Sequence, residues 1–350
     1  MRVLTVRNVH EALPEAIYVM LHESYRQDSR NGPVLRHPMP VTTCYTHPRE
    51  RVVFWPERDA NPFFHFFEGL WMLNGQNDVA TLTQYVGRMK DFSDDGKIFH
   101  GAYGHRWRKH WEHDQLEHIA AKLRHDHTDR RQVLQMYDAG MDAVTFPGAR
   151  DIPCNLVACF QVNNSRLDMI VYNRSNDIIW GCYGANAVHF SMLQEVMAAM
   201  IGVPVGMYWQ VSFNWHAYLT TLEPLQGLQF WCAQPPSAGN RTPYEGDVEP
   251  YPMVNGDWAV WLQDLRMFMS EGYSALGYRD SFFRRVAIPM LRTHRAFKGG
   301  GDSRFERARA EAGGIYATDW KRAVLEWIDR RETRFREKAD GGNQGSLGER

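Results

Sequence analysis

The stretch from Asp129 to Tyr218 concentrates side chains that could do chemistry. It contains a thiol, several guanidinium groups, an amide, hydroxyls and an imidazole: Arg130, Arg131, Cys154, Arg174, Ser175, Asn186, His216 and Tyr218. Guanidinium groups can fork onto phosphate oxygens, and an amide can pair with the edge of a heterocyclic base. A cysteine thiolate is a nucleophile. These residue types together indicate a site for an anionic nucleotide.

A single carboxylate stands in an aromatic run further upstream. Residues 63–74 read FFHFFEGLWMLN, with Glu68 in the middle, and the run is long and apolar enough for a buried helix. Burying a carboxylate without a partner is costly, so Glu68 is a functional candidate even without any further motif.

Hydrophobic patterns predict the elements that position these residues. Short runs rich in β-branched and aromatic residues follow Arg130 and predict strands of one sheet. In the last of these runs the apolar residues alternate, which predicts a strand whose apolar face is buried: Val205, Met207, Trp209, Val211 and Phe213. Helices are predicted over 9–26, 63–74 and 188–202, the last with a glycine stop. The predicted fold class is α+β.

The strand patterns stop near residue 270. Beyond it, Trp320, Val324 and Trp327 lie at helical spacing, with Asp319 as the predicted N-cap. We therefore predict a catalytic domain over 1–270, a helical C-terminal extension over 271–338 and a disordered tail over 339–350.

Composition narrows the class of protein. The chain has 350 residues, with 40 Lys+Arg against 41 Asp+Glu, which gives a net charge of -1 and argues against nucleic-acid binding. Scattered cysteines, five in number, predict reduced thiols without a disulfide framework or zinc ribbon. The N-terminus lacks the apolar core of a signal peptide, and no run approaches the ~18 apolar residues of a membrane span. A cytoplasmic protein without membrane contact is expected.

Several short motifs resemble the thymidylate synthase and pyrimidine-nucleotide hydroxymethylase family. The chain shows paired arginines on a strand, a proline before Cys154, a Y-x-R-S-x-D segment at 172–177, an Asn before a core helix and an H-x-Y pair. Upstream, the Glu68 helix is similar to the family's E-L-L-W-x-L-x-G, and 102–108 to its V-Y-G-x-x-W-R. The resemblance covers roughly residues 28–260 and implies a thymidylate-synthase-like mixed β-sheet packed with helices.

The resemblance also implies a chemistry. Cys154 would add to C6 of a pyrimidine nucleoside monophosphate, and C5 would then attack the one-carbon unit of the co-substrate 5,10-methylenetetrahydrofolate. A nearby Arg174 would favour the thiolate. The matched positions assign phosphate binding to Arg30, Arg130, Arg131, Arg174 and Ser175, the sugar 3′-hydroxyl to His216 and Tyr218, the base to Asn186, the pterin to Asp177, proton and water handling to Glu68, and removal of the C5 proton to Tyr103.

In the family the arginine pair reaches into the neighbouring subunit's site. The resemblance therefore implies a homodimer with shared active sites. Taken alone, Arg130 and Arg131 could equally be solvated ion-pair partners, Cys154 a buried inert thiol and His216 a structural residue.

Departures from the family pattern bear on the reaction. The segment 86–93 lacks the tryptophan that helps synthases to keep water from the methylene intermediate, which favours a hydroxymethylase. Asn186 matches the uracil-specific pattern, but a flipped amide could also pair with cytosine, so dUMP and dCMP both stay open. The segment 181–186 is one residue longer than in synthases, Asn155 stands where synthases have His, and the chain continues past the point where synthases end.

The predicted activity is therefore hydroxymethylation of a pyrimidine deoxynucleoside monophosphate, with a phage origin as one expectation. The alternatives are a thymidylate synthase proper, a nucleotide-binding relative without catalysis, or a hydrolase that pairs Cys154 with His189 or His216. A metal site at His125 and His127 is not expected, because no known ligand spacing is present.

Overall fold

A mixed β-sheet forms the centre of the computed structural model, which describes residues 1–146, 148–233, 242–271 and 277–344. The strands run in the order β1-β4-β8-β7-β6-β5, with β3 pairing β8 and β2 pairing β3; β1–β4 and β7–β8 are the parallel pairs. Their bounds are β1 Arg2–Val6, β2 Tyr25–Gln27, β3 Val34–Arg36, β4 Val41–Tyr45, β5 Val133–Gln135, β6 Asn155–Asn163, β7 Arg166–Asp177 and β8 Val205–Tyr218.

Helices cover one face of this sheet, and the described residues after β8 contain helices but no further strand. The α-helices are α1 Val9–Glu23, α2 Pro62–Leu73, α3 Val79–Thr83, α4 Tyr103–Arg108, α5 Gln115–His125, α6 Ala139–Asp142, α7 Asn186–Ile201, α8 Leu219–Leu222, α9 Trp258–Glu271, α10 Ile288–Lys298, α11 Arg304–Ala312 and α12 Thr318–Gln344. Shorter helical turns span Pro56–Arg58, Gly87–Phe92, Ile178–Ala185, Glu223–Ala233, Pro243–Glu245 and Phe283–Ala287.

The predicted α+β class is confirmed, and the local patterns explain the element boundaries. Helix α1 begins where the Asn8 side chain accepts the N–H of Glu11, and α2 begins where the Asn61 side chain accepts two backbone N–H groups. Helix α7 ends at Gly202, whose φ of 89° is the left-handed conformation that favours glycine. Within the described residues, no helix combines the length and apolarity needed to cross a membrane.

The orientation of β8 differs from the prediction. Its residues do alternate, but Met207 and Phe213 are exposed at 42% and 64%, whereas Gln210 and Ser212 face the core and are buried. Gln210 tolerates this position because its amide donates to the Cys182 carbonyl oxygen and accepts from the Tyr208 hydroxyl. The apolar residues therefore lie on the outer face of the sheet, away from α7.

The C-terminal helices pack against the aromatic helix α2. The rings of Phe63 and Trp327 lie 5.5 Å apart and those of Phe66 and Trp320 5.4 Å apart, so the extension shares one hydrophobic core with the sheet region. This packing buries the side of α2 that faces away from the sheet.

Two details of the C-terminal predictions differ in the structure. Helix α12 begins at Thr318, which places Asp319 inside the first turn rather than at the N-cap, and its buried carboxylate accepts the Tyr244 hydroxyl. The helix also continues to Gln344, within the segment 339–350 predicted to be disordered; residues 345–350 lie outside the described part of the chain.

Helices α2 and α4 are in unusually close contact at Gly104. A Cβ atom at this position would lie 2.0 Å from the backbone oxygen of Met72, a separation that no side chain can adopt. Glycine at 104 thus sets the distance between the helix that carries Glu68 and the helix that begins at Tyr103.

We predict that Gly104→Ala destabilises the fold by about 2 kcal/mol or more, because the added methyl group meets backbone and not a movable side chain. Denaturant unfolding measures the loss. Gly87→Ala is the matched control, since its Cβ would meet no atom within 4 Å. Equal stability of Gly104→Ala and the wild type would contradict the close contact.

Candidate active site

Cys154 lies immediately before β6, and hydrogen bonds on both sides fix its backbone. The Tyr103 hydroxyl oxygen accepts the N–H of Cys154 at 3.0 Å and that of Asn155 at 3.2 Å. The Cys154 carbonyl oxygen accepts the N–H of Arg174 at 2.9 Å. The first turn of α4 and the end of β7 therefore hold the thiol in place.

The Arg174 guanidinium lies against the same loop. It donates to the carbonyl oxygens of Pro153 at 2.8 Å and Ile152 at 3.0 Å. Burial raises the pKa of the Cys154 thiol, whereas the positive charge of Arg174 lowers it, the effect predicted from the sequence. The net pKa is raised, so the thiol is protonated near neutral pH before a substrate binds.

The other phosphate-binding candidates fall into two groups. Arg30 reaches the Cys154 loop, where it donates to the Ala149 carbonyl oxygen at 3.3 Å. Arg131 instead pairs with Asp129 at 2.9 Å and is 82% exposed at its side chain. Arg130 is exposed and has no hydrogen bond or ion pair with any described residue. A single chain thus brings Arg174 next to Cys154 and Arg30 to Ala149 in the same loop, whereas Arg130 and Arg131 form no hydrogen bond with the described residues of that loop.

The ends of β7 and β8 bring together the remaining predicted residues. Asp177 and His216 are partners in the parallel register, and Ser175 lies opposite Asn214. The rings of His216 and Tyr218 meet edge to face at 5.4 Å. The C-terminal ends of these two inner strands therefore bring together Ser175, Asp177, His216 and Tyr218.

One oxygen of Asp177 is left free. Its Oδ2 accepts the N–H of Trp180 at 2.6 Å, whereas its buried Oδ1 finds no hydrogen-bond partner within the described residues. Burial raises the pKa of this carboxyl. Asp177 can therefore accept a hydrogen bond from a ligand.

Asn155, the residue after Cys154, begins a row of hydrogen-bonded side chains that continues through Asn186 and Asn176 to Ser212. The Asn155 amide donates to Asn186 at 3.2 Å, Asn186 donates to Asn176 at 3.0 Å, and Asn176 donates to the Ser212 hydroxyl at 3.0 Å. A Cβ at Gly181 would come within 2.7 Å of the Asn176 side-chain oxygen, so only glycine leaves room for the row.

The segment that follows Asp177, which the sequence analysis found to be one residue longer than in synthases, forms an irregular, wide helical turn over Ile178–Ala185. Its backbone leaves helical geometry at Tyr183 and Gly184. A one-residue insertion in a helix is commonly absorbed as such a turn. The extra residue therefore does not displace Asn186 from the start of α7.

A cavity of about 240 Å³ opens beside the Cys154 loop. Its polar lining includes Glu68, Tyr103 and Asp151, and Met89 and Phe92 contribute apolar walls. The last two belong to the segment in which the family's tryptophan is missing. The segment 86–93 therefore borders this cavity, and it contains no tryptophan.

Glu68 meets His189 at the buried end of this site. The Glu68 Oε2 and His189 Nε2 atoms are 3.4 Å apart, and burial raises the pKa of Glu68 to about 8 and lowers that of His189 to about 3. Both groups are therefore uncharged near pH 7. A neutral carboxyl group can donate or accept a hydrogen bond, which suits it to proton transfer.

Sequence reasoning missed several residues at the site. His189 entered only as a partner in the hydrolase alternative, and its position in an apolar helix was the available signal. Arg58 donates to the Ile179 carbonyl oxygen and lies 4.7 Å from the ring centroid of the exposed Trp180. Asp151 accepts the N–H of Gly101 at 3.1 Å, and burial raises its pKa to about 6.

The hydrolase and metal alternatives gain no support from the geometry. Among the described side chains, neither His189 nor His216 forms a hydrogen bond with the Cys154 thiol. In the same part of the chain, no group of three or more His, Cys, Asp or Glu could hold a metal ion.

Comparison with known proteins shows similarity along nearly the whole chain. Residues 58–230 match the thymidylate synthase family. A protein of Pseudomonas phage M6 named deoxyuridylate hydroxymethyltransferase is 54% identical over 340 residues, covering 96% of each chain. Proteins of the same name from Bacillus phage SP01 and Delftia phage PhiW-14 are 38% and 25% identical, covering 72% and 70% of this chain and 68% and 71% of theirs.

The chain belongs to the thymidylate synthase family. The predicted family and the enzyme class, a one-carbon transferase of that family, are thereby confirmed. The relatives named above all come from bacteriophages, in agreement with the expected phage origin.

The raised pKa of Glu68 gives a pH-dependent prediction. Between its ordinary pKa of 4.5 and the folded value of about 8, the folded chain binds a proton that the unfolded chain has released, so wild-type stability falls as pH rises. We expect Glu68→Gln to remove this cost. Its stability relative to the wild type should rise by about 2 kcal/mol or more from about pH 5 to pH 8 and then level off.

Denaturant unfolding of both proteins across this pH range measures the difference. Glu112→Gln, the same substitution at an exposed position, provides the matched control. A pH-independent difference for Glu68→Gln would show that the folded state does not raise the pKa of Glu68, and would contradict the prediction.

Proposed function

We propose that this protein transfers a one-carbon unit from 5,10-methylenetetrahydrofolate to C5 of dUMP and that water completes the reaction, which gives the hydroxymethylated nucleotide. The observation that carries the proposal is the open cavity that ends at Pro153, the residue before Cys154, and is lined by Met89, Phe92 and Glu68. The names of the phage relatives support the same reaction and favour uracil over cytosine.

The reaction begins with addition of the Cys154 sulfur to C6 of the base. The thiol proton must leave first, since burial keeps the group protonated, and Arg174 favours its loss. The electron pair of the C5–C6 double bond moves towards the C4 carbonyl group, and C5 attacks the methylene carbon. The C5 proton then passes to solvent by way of the Tyr103 hydroxyl, the role that the family resemblance implies, and the bond from the methylene carbon to the folate nitrogen breaks with its electron pair going to nitrogen. The Tyr103 oxygen accepts the N–H groups of Cys154 and Asn155, which fixes it next to the nucleophile.

The ligand's polar groups have matching partners along the site. Arg30, Arg174 and Ser175 would hold the phosphate, His216 and Tyr218 the sugar 3′-hydroxyl, and Asn186 the edge of the base. The amide of Asn186 accepts from Asn155 and donates to Asn176, which orients it before any ligand arrives.

The folate co-substrate fits the residues present. Members of this family use methylenetetrahydrofolate. The unpartnered Oδ1 of Asp177 can accept a hydrogen bond from the pterin, and the cavity beside Tyr103 has apolar walls for a flat ring. Met89 and Phe92 leave that cavity open to water, whereas a ring stacked at this place would exclude it.

The outer face of the sheet supports a homodimer. Apolar side chains on β5, β7 and β8 are exposed there, including Val133 at 48%, Tyr172 at 39% and Phe213 at 64%. A patch of this kind marks an interaction site. Covering it with a second copy would leave Arg130 and Arg131, which do not reach Cys154 of their own chain, for the partner's phosphate site.

We further propose that the reaction takes place in the cytoplasm of an infected host cell, and the phage sources of the relatives support this. That compartment holds the nucleotide pool on which a phage draws. The free thiols of Cys44, Cys154 and Cys182 are compatible with a reducing compartment.

Product analysis tests the proposed reaction. With dUMP and methylenetetrahydrofolate, we expect hydroxymethyl-dUMP and tetrahydrofolate in equal amounts, without dihydrofolate, and a markedly lower rate with dCMP. Mass spectrometry identifies the nucleotide, and absorbance identifies the folate product. Cys154→Ala should fold normally and form no product.

The alternatives give different products. Formation of dTMP with dihydrofolate would make the protein a thymidylate synthase, and hydroxymethyl-dCMP as the preferred product would move the base preference to cytosine. Nucleotide binding without turnover would indicate a non-catalytic relative.

Subunit mixing tests the shared site. Arg130→Ala/Arg131→Ala and Cys154→Ala chains should each be inactive as homodimers. In a heterodimer of the two, one site combines an intact thiol with intact arginines, so roughly half of the wild-type activity per dimer is expected. Differently tagged chains allow the heterodimer to be purified. A purified heterodimer without activity would contradict cross-subunit phosphate binding.

A further inference from the structure

A pair of buried polar atoms at the end of the cavity has no partner in the protein. The Glu68 Oε2 atom on α2 and the His189 Nε2 atom on α7 approach to 3.4 Å without forming a hydrogen bond, and no other described residue satisfies either of them. The two side chains are 14% and 4% exposed. An unsatisfied buried polar atom is costly, which points to a small polar ligand beside them.

The surroundings of His189 determine what Nε2 can do. The backbone of His65 forms a hydrogen bond with the His189 imidazole. Because Nε2 has no partner among the described residues, this bond belongs to the other ring nitrogen, Nδ1, and favours a proton there. The His65 ring meets the His189 ring edge to face at 6.3 Å. With the ring so held, Nε2 presents a lone pair towards Glu68 and is able to accept a hydrogen bond.

We propose that His189 is a positioning residue for the reacting water: with Glu68 it holds the water molecule that adds to the methylene carbon. The inference rests on the proposed function and goes beyond it by assigning the water to this pair of side chains. His189 accepts one O–H of the water at Nε2, and Glu68 contacts its oxygen from the cavity side.

After tetrahydrofolate leaves, C5 carries an exocyclic methylene group and C6 still carries the Cys154 sulfur. The water oxygen forms a bond to the methylene carbon, one water proton passes to the Glu68–His189 pair, and the electron pair of the carbon–carbon double bond moves to the C4 carbonyl oxygen. That enolate then restores the C5–C6 double bond and expels the Cys154 thiolate, which is reprotonated as the Glu68–His189 pair gives up the proton it received.

A purely structural histidine is the competing explanation, and the two differ in which step they affect. Loss of the C5 proton precedes water addition, so it should not depend on a residue that positions the water. A structural defect in the site would instead slow both steps together. Single-turnover kinetics with enzyme in excess separates them.

The experiment uses dUMP labelled with tritium at C5, methylenetetrahydrofolate and the full chain. His189→Ala should release tritium within about threefold of the wild-type rate but form hydroxymethyl-dUMP about tenfold more slowly or worse. The covalent enzyme–nucleotide complex should then accumulate and be visible by mass spectrometry of the intact protein. His189→Gln, which retains an acceptor, should recover part of the product rate.

Ser191→Ala is the matched control, because Ser191 is buried on the same helix and bonds only to the Val188 carbonyl oxygen among the described groups. It should leave both rates unchanged. Parallel loss of tritium release and product in both His189 variants, or no loss in either, would overturn the inference. If the wild type itself forms no hydroxymethylated product, the proposed function fails and the inference fails with it.

Discussion

The burial of helix α2 is the constraint on which the rest of the structure depends. An aromatic helix with one carboxyl group must be covered on every side, and the cover comes from the sheet-side helix α7, from α4 at Gly104 and from the C-terminal helices at Phe63 and Phe66. Water is thereby removed from Glu68 on all sides except the cavity. The C-terminal extension contributes to the active site indirectly, because it seals the far side of the helix that carries the carboxyl group.

The same burial leaves the reactive groups of the free enzyme uncharged. The pKa values of Cys154 and Tyr103 are raised, that of Glu68 is raised to about 8 and that of His189 is lowered to about 3, each mainly by loss of solvent. Charge therefore arises at these groups only as the reaction proceeds. In such surroundings a single proton shift has a large energetic effect, because few solvent dipoles remain to compensate it.

The sequence predicted the fold class and the residues of short motifs, but not how the elements face one another. Alternation in β8 shows that Met207 and Phe213 share a face, yet it cannot show whether the chain's own core or a second chain covers that face. His189 escaped notice as an active-site residue because a histidine in an apolar helix is usually a core residue. The local pattern predicts Asp319 at an N-cap. It cannot show the burial of Asp319 against Tyr244, because that contact joins residues distant in sequence.

The amide row from Asn155 to Ser212 has a direction, since each amide has one donor end and one acceptor end. Turning Asn186 around would place its NH₂ group against the NH₂ of Asn155 and its oxygen against the oxygen of Asn176, so the neighbours must turn with it. The orientation of the Asn186 amide is therefore fixed by the whole row of hydrogen bonds and not by one contact. A mutation at Ser212 or Gly181, neither of which needs to touch a nucleotide, is a route by which selection could alter base preference without changing Asn186 itself.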